Sequence, residues 1–143
     1  MCPFALSNDS FNLQEMYQMM KEQLNSANAP AAIGPYSQGI AAGETVYVSG
    51  QLPIDRATGK MPEGIAAQAE QSLKNIASIL AEKGMTMDNV VKTTVLMADL
   101  ADFAGMNEVY GKFFHEPFPA RSAFQVAKLP LGAPIEIECI AVK

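Results

Sequence analysis

Asn89-Val90-Val91-Lys92-Thr93-Thr94-Val95-Leu96-Met97 reads as a strand, and its surroundings decide the fold. Val91, Thr93, Val95 and Met97 alternate with Val90, Lys92, Thr94 and Leu96, so apolar side chains fall on both faces. The flanking segments have a different period. Upstream, from Gly64 to Lys83, Ile65, Ala69, Leu73, Ile76 and Leu80 recur at spacings of four, four, three and four. That is one face of a helix, and Gly84 is a suitable stop. Downstream, Asp99 or Asp102 can cap a second helix running to about Phe114, with Phe103, Met106, Tyr110 and Phe113 as its buried stripe.

Further strands lie outside this core unit. Ser37–Ala42 and Thr45–Ser49 flank the turn Ala42-Gly43-Glu44, with Gly50 ending the second strand and a loop over 51–62. Arg121–Ala127 and Ile135–Val142 follow the second helix, joined by a linker over 129–134 that holds proline and glycine. The order is β-β-α-β-α-β-β. Two helices cannot cover both faces of a five- or six-stranded sheet, so they pack on one face and the class is α+β. The other face stays apolar: Val46 and Val48 oppose Tyr47, and Val90 and Leu96 oppose Val91 and Val95. It needs a partner, which implies a homo-oligomer with sheets meeting across the interface.

Composition agrees with a single domain. The chain has 143 residues, long enough to bury a core unaided. Its net charge is −5, which gives no electrostatic case for nucleic acid. No apolar run approaches the roughly eighteen residues of a membrane span. Residues 1–27 read as an extension and 28–143 as the domain. Within the extension, Leu13, Met16, Met20 and Leu24 recur at helical spacing, and Asn12 with Glu15 fits a capping box. Met19 or Met20 could be the natural start. The lead-in Asn28–Tyr36 holds two prolines and a glycine and is extended.

Two stretches hold residues suited to chemistry. In Phe118-Pro119-Ala120-Arg121-Ser122-Ala123-Phe124-Gln125-Val126-Ala127-Lys128-Leu129-Pro130, one arginine opens a strand behind a proline. Its planar fork matches a carboxylate bidentately, either a bound one or that of a neighbouring surface side chain. In the last strand Glu136 and Glu138 share a face with Ile140 and Val142. Carboxylates are depleted from strands, so this strand is either a charged edge or faces a polar pocket. If Glu136 lies near Arg121, the pair would anchor an anion beside a water. Cys2, Cys139 and the single His115 have no metal or redox spacing, and a reduced cytosolic setting fits best. There is no P-loop, GxGxxG, GxSxG or HExxH, and Ser49 and Ser122 lack a histidine base.

Several segments in order resemble the RidA/YjgF/UK114 family. They are Gly34-Pro35-Tyr36-Ser37-Gln38-Gly39, Val48-Ser49-Gly50-Gln51-Leu52-Pro53, Val91-Lys92-Thr93-Thr94-Val95, Pro119-Ala120-Arg121-Ser122 and Ile135-Glu136-Ile137-Glu138. The resemblance runs from about Asn28 to Lys143. It implies a chorismate-mutase-like α+β subunit in a homotrimer whose sheets form a central barrel, with three clefts between subunits. It also implies hydrolysis of small 2-imino acids to 2-keto acids and ammonia, without cofactor or metal. By the same resemblance Arg121 clamps the substrate carboxylate and Glu136 holds the attacking water or shuttles protons. Tyr36, Ser49, Asn107 and Ala123 then line the cleft, Ala123 standing where many relatives have cysteine. The alternatives are a ligand-sensing module on the same fold, or an interaction or RNA-directed role, which a salt titration would expose.

Overall fold

The computed structural model describes residues 12–143; Cys2 and the start of the expected extension lie outside the described residues. The elements are α1 (Leu13–Met20), β1 (Glu22–Leu24), β2 (Gly39–Ala42), β3 (Thr45–Gln51), α2 (Ile65–Ala81), β4 (Val90–Met97), α3 (Phe103–Phe113), β5 (Ala120–Gln125) and β6 (Ile135–Val142). All six strands form one sheet in the order β1-β2-β3-β6-β4-β5. Every pairing is antiparallel except β4 with β5, which are parallel and joined through α3. The sheet is therefore mixed, and the architecture is α+β as the sequence predicts.

Helices α2 and α3 pack together against one face. Leu73, Ile76, Ile79 and Leu80 of α2 are fully buried there, with Met106 of α3 and Val46, Val95, Ile135 and Ile137 of the sheet. Burying each large aliphatic side chain contributes about 1.5–3 kcal/mol. The opposite face is left open in the single chain. Tyr47 is 50% exposed on it, and Ile40, Leu96, Ile140 and Phe124 lie there only partly buried or exposed. This is the uncovered apolar face that the strand pattern implies.

Three local readings are corrected. The helical spacing of Leu13, Met16, Met20 and Leu24 does not continue to its end. The helix stops at Met20, and Leu24 is 3% exposed in β1, paired with Gly39. A strand pairing to the sheet edge outcompetes a third helical turn. The sheet thus starts at Glu22, where the Glu22 carboxylate also meets Lys83 at 2.5 Å. Residues 26–30 are tied down as well. The buried Gln38 amide accepts from the Ser26 N–H at 2.6 Å and donates to the Pro30 carbonyl at 2.8 Å.

In β4 strict alternation places Val91 with Thr93, Val95 and Met97. A bulge between Val90 and Lys92 puts Val90 (5% exposed) on that buried face and leaves Val91 43% exposed. In β3, Gly50 does not end the strand. The strand continues to Gln51, opposite Ile137, with an irregularity between Val48 and Gln51. At α3, Asp99 is the one of the two candidate caps whose side chain makes the bond. Its carboxylate accepts from the Ala101 N–H at 2.8 Å, starting a short 3-10 turn over Leu100–Asp102 that leads into the helix. The capping box at α1 forms as read: the Glu15 N–H donates to Asn12 Oδ1 at 2.8 Å and the Asn12 N–H to Glu15 Oε2 at 3.3 Å.

Candidate active site

The polar residues fall into two groups on opposite faces of the sheet. Arg121 sits on β5 level with Thr93 of β4, on the face that carries the helices. Its guanidinium lies over two aromatic rings of α3, with Cζ 4.6 Å from the Tyr110 ring centroid and 5.4 Å from that of Phe103. Nη1 donates to Asn107 Oδ1 at 2.7 Å. Asn107 and Tyr110 are three residues apart on one helix, so both present to the same place. Two salt bridges lie among the described residues, Lys74–Glu70 and Lys83–Glu22, and neither involves Arg121. The surface ion pair that was one reading of this arginine is therefore not what holds it. Aromatic faces and one amide oxygen orient the cation without neutralising it, so its exposed edge can take an anion.

Tyr110 is 5% exposed, and its hydroxyl pairs with Thr93 Oγ1 at 2.7 Å. Burial pushes the phenol above its ordinary value, against the opposing pull of the Thr93 hydrogen bond and the Arg121 charge. It stays a neutral phenol near pH 7. Ala123, two residues past Arg121, is on the same face and packs partly on the core.

Glu136 lies on the open face, level with Leu96 of β4. It is separated from Arg121 by β4 and points to the other side of the sheet, so one subunit does not bring the two together. Its carboxylate fills the space above Gly50, where a Cβ would overlap it. Partial burial, and then the charge of Glu138, raise the Glu136 carboxyl above the usual carboxylate range. A carboxyl shifted this way is better matched to proton transfer near neutrality. Ser49 is nearby on β3, and its hydroxyl donates to the Ser37 carbonyl at 2.6 Å. Tyr36 precedes Ser37 and is 53% exposed, and its hydroxyl accepts from the Ile33 N–H at 3.4 Å. A depression of about 350 Å³ opens beside them, lined among others by Tyr47, Ser49, Lys92, Thr94, Glu138 and Ile140. Asn107, Ala123 and Arg121 thus share the helix-bearing side, and Ser49 and Glu136 the open one, while Tyr36 lies in the lead-in segment next to Ser37.

Cys139 lies in the core, and burial first, then Glu138, pushes its thiol up to about 12. It is no replacement for the cysteine absent at position 123. His115 is exposed between α3 and β5. Among the described residues no three His, Cys, Asp or Glu side chains gather as a metal site, and no helix is long and apolar enough to cross a membrane.

The family model described as endoribonuclease L-PSP matches residues 26–143. A 2-iminobutanoate/2-iminopropanoate deaminase of Bos taurus is 50% identical over 129 residues, which is 90% of this chain and 94% of that protein. The chain belongs to the RidA/YjgF/UK114 family. Among solved RidA-family structures, the YjgF gene product of E. coli is 48% identical with a TM-score of 0.82, the match covering 85% of this chain and 98% of that one. E. coli TdcF with bound serine is 43% identical with the same TM-score of 0.82, and covers the same 85% and 98%.

Two features of this RidA-family chain escape a reading of the sequence for reactive groups. Gly50 reads as a strand end, although an isolated glycine in a β pattern is also the mark of a bulge or a close approach. Tyr110 reads as core filler, although a buried tyrosine needs a partner for its hydroxyl.

Proposed function

We propose that this protein is a 2-iminobutanoate/2-iminopropanoate deaminase, hydrolysing small 2-imino acids to 2-keto acids and ammonia. It works as a homotrimer whose open sheet faces line a central barrel, with each cleft completed by two subunits. The observation that carries this reading is Arg121: an oriented cation without an ion-pair partner among the described residues, exposed at a sheet edge. The names of the relatives supply the reaction, and the serine bound to TdcF is itself a small carboxylate. The placement of Arg121 and Glu136 on opposite faces supports a cleft between copies, with Arg121, Asn107 and Ala123 from one and Glu136, Ser49 and Tyr36 from its neighbour.

The chemistry asks little of the protein. A protonated imine is electrophilic at C2, so water adds once the substrate is held. Arg121 fixes the carboxylate and so holds the substrate in the cleft, in ground and transition state alike. Glu136 takes one proton from the attacking water and returns it to the nitrogen. The carbinolamine then collapses: Glu136, again a carboxylate, takes the hydroxyl proton as the C=O forms and the C–N bond breaks, and passes it to the departing ammonia, which leaves as ammonium, so that the 2-keto acid remains. Phosphate-backbone binding is poorly served by a chain with 10 Lys and Arg against 15 Asp and Glu, whatever the family description suggests. A reducing cytosol suits the buried free thiol of Cys139. The deciding experiment generates imines in situ with an amino-acid oxidase or a threonine dehydratase and follows keto-acid or ammonia release. Acceleration by the parent and none by Arg121→Ala is the expected result. Equal acceleration by both would place the site elsewhere, and none from a folded oligomer would leave a carboxylate-sensing module.

A further inference from the structure

The ring beneath Arg121 is fixed more firmly than core packing requires. Tyr110 packs against Phe114, with ring centroids 4.5 Å apart and planes tilted by 41°. Its hydroxyl is held by Thr93 at the middle of β4, and Thr93 is the residue level with Arg121 across the parallel β4–β5 pairing. The ring is thus gripped at its edge and at its hydroxyl, and the guanidinium lies against it at 4.6 Å. A phenolate here would neutralise the cation. A neutral phenol offers only the negative face of its ring, which attracts the guanidinium without cancelling its charge.

Resting on Arg121 as the carboxylate clamp, we propose that Tyr110, anchored by Thr93, is a positioning residue that sets the plane of the Arg121 guanidinium. Asn107, one turn earlier on α3, holds one Nη1 proton, and the ring holds the plane. Together they leave the rest of the fork aimed outward. Reorienting a free arginine side chain for each substrate would cost conformational entropy, and this arrangement removes most of that cost before binding.

The test compares wild type with Arg121→Ala, Tyr110→Leu, Tyr110→Phe and Thr93→Val. Imine hydrolysis gives KM and kcat, and calorimetry gives the Kd of the product 2-oxobutanoate. A contact that serves ground and transition states alike appears in KM rather than kcat. Tyr110→Leu should raise KM and Kd about tenfold, with kcat within about threefold, a size in keeping with a partly desolvated cation–π contact. Tyr110→Phe and Thr93→Val should each raise both constants about threefold. Their double variant should be no worse than either single one, because both cut the same bond. A residue that merely fills the core would instead lower Tm and the active fraction, hence apparent kcat, with KM and Kd unchanged. That result in folded Tyr110→Phe and Thr93→Val overturns the proposal even if Tyr110→Leu does not fold. If Arg121→Ala loses 2-oxobutanoate and the Tyr110 and Thr93 variants keep it, only the positioning role fails. If wild type neither binds nor reacts, or Arg121→Ala binds as wild type does, the clamp fails and the positioning role with it.

Discussion

Arg121 and Gly50 matter for different physical reasons, and each supports its own prediction. The guanidinium is useful because it is planar and can give two parallel hydrogen bonds to one carboxylate. Charged hydrogen bonds contribute about 1.5–3 kcal/mol each, so Arg121→Ala should lower kcat/KM about a hundredfold or more. Arg121→Lys keeps the charge but loses the fork and the stacking on Tyr110 and Phe103, and should still cost about tenfold or more. Both are read from initial rates across imine concentrations. Gly50 makes no bond to substrate in this reading; it leaves room. A Cβ there would overlap Oε1 and Cδ of Glu136, which are the movable end of a side chain rather than backbone. Gly50→Ala should therefore fold, with a stability change of about 1 kcal/mol, yet turn the Glu136 carboxylate away. Thermal melting should shift little while kcat falls about tenfold or more. A variant with wild-type kcat would show that the carboxylate does not need that space.

At the scale of elements, β6 links packing to proton transfer. Its alternation buries Ile135, Ile137, Cys139 and Ala141 and puts Glu136 and Glu138 together on the open face. Two carboxylates on one strand face repel, and the second to ionise is disfavoured. Glu138 thus holds the Glu136 carboxyl up, adding to the effect of burial. If Glu136 acts as base, kcat/KM falls at low pH as it gains its proton. Glu138→Gln removes the repelling charge, lowers the Glu136 pKa, and should move that acid limb to lower pH. A limb that stays in place, or moves to higher pH, would mean that another group sets it. The strand itself was legible in the sequence because carboxylates set among Ile and Val at period two suit a strand with one open face and not a helix. The helices were legible for a similar reason, since long amphipathic stretches average over local exceptions. What was not legible depends on single residues meeting distant ones. The bulge that exchanges Val90 for Val91 is set by pairing with β6, and β1 exists because β2 offers Leu24 an edge. Only the glycine inside β3 announced its irregularity, and it was as consistent with a strand end.

For the whole molecule, the decisive fact is that Arg121 and Glu136 face opposite sides of one sheet. The sequence showed both residues and an apolar sheet face in need of cover. It did not show that β4 would lie between their strands, because strand order is decided by the crossover through α3 and not by either strand's own pattern. A working cleft that uses both side chains must then draw them from different copies. This arrangement permits complementation. Arg121→Ala and Glu136→Gln subunits should each be inactive alone. In the proposed trimer, subunits unfolded together and refolded as a mixture should recover about a quarter of the wild-type sites: three trimers in four would be mixed, and each mixed ring would have one interface where an intact arginine meets an intact glutamate. The regained rate should show the wild-type KM, since each restored site is complete. Activity that does not return on mixing, although light scattering and mass spectrometry show mixed trimers, would mean that the two residues serve the same subunit or that one of them does not serve the reaction.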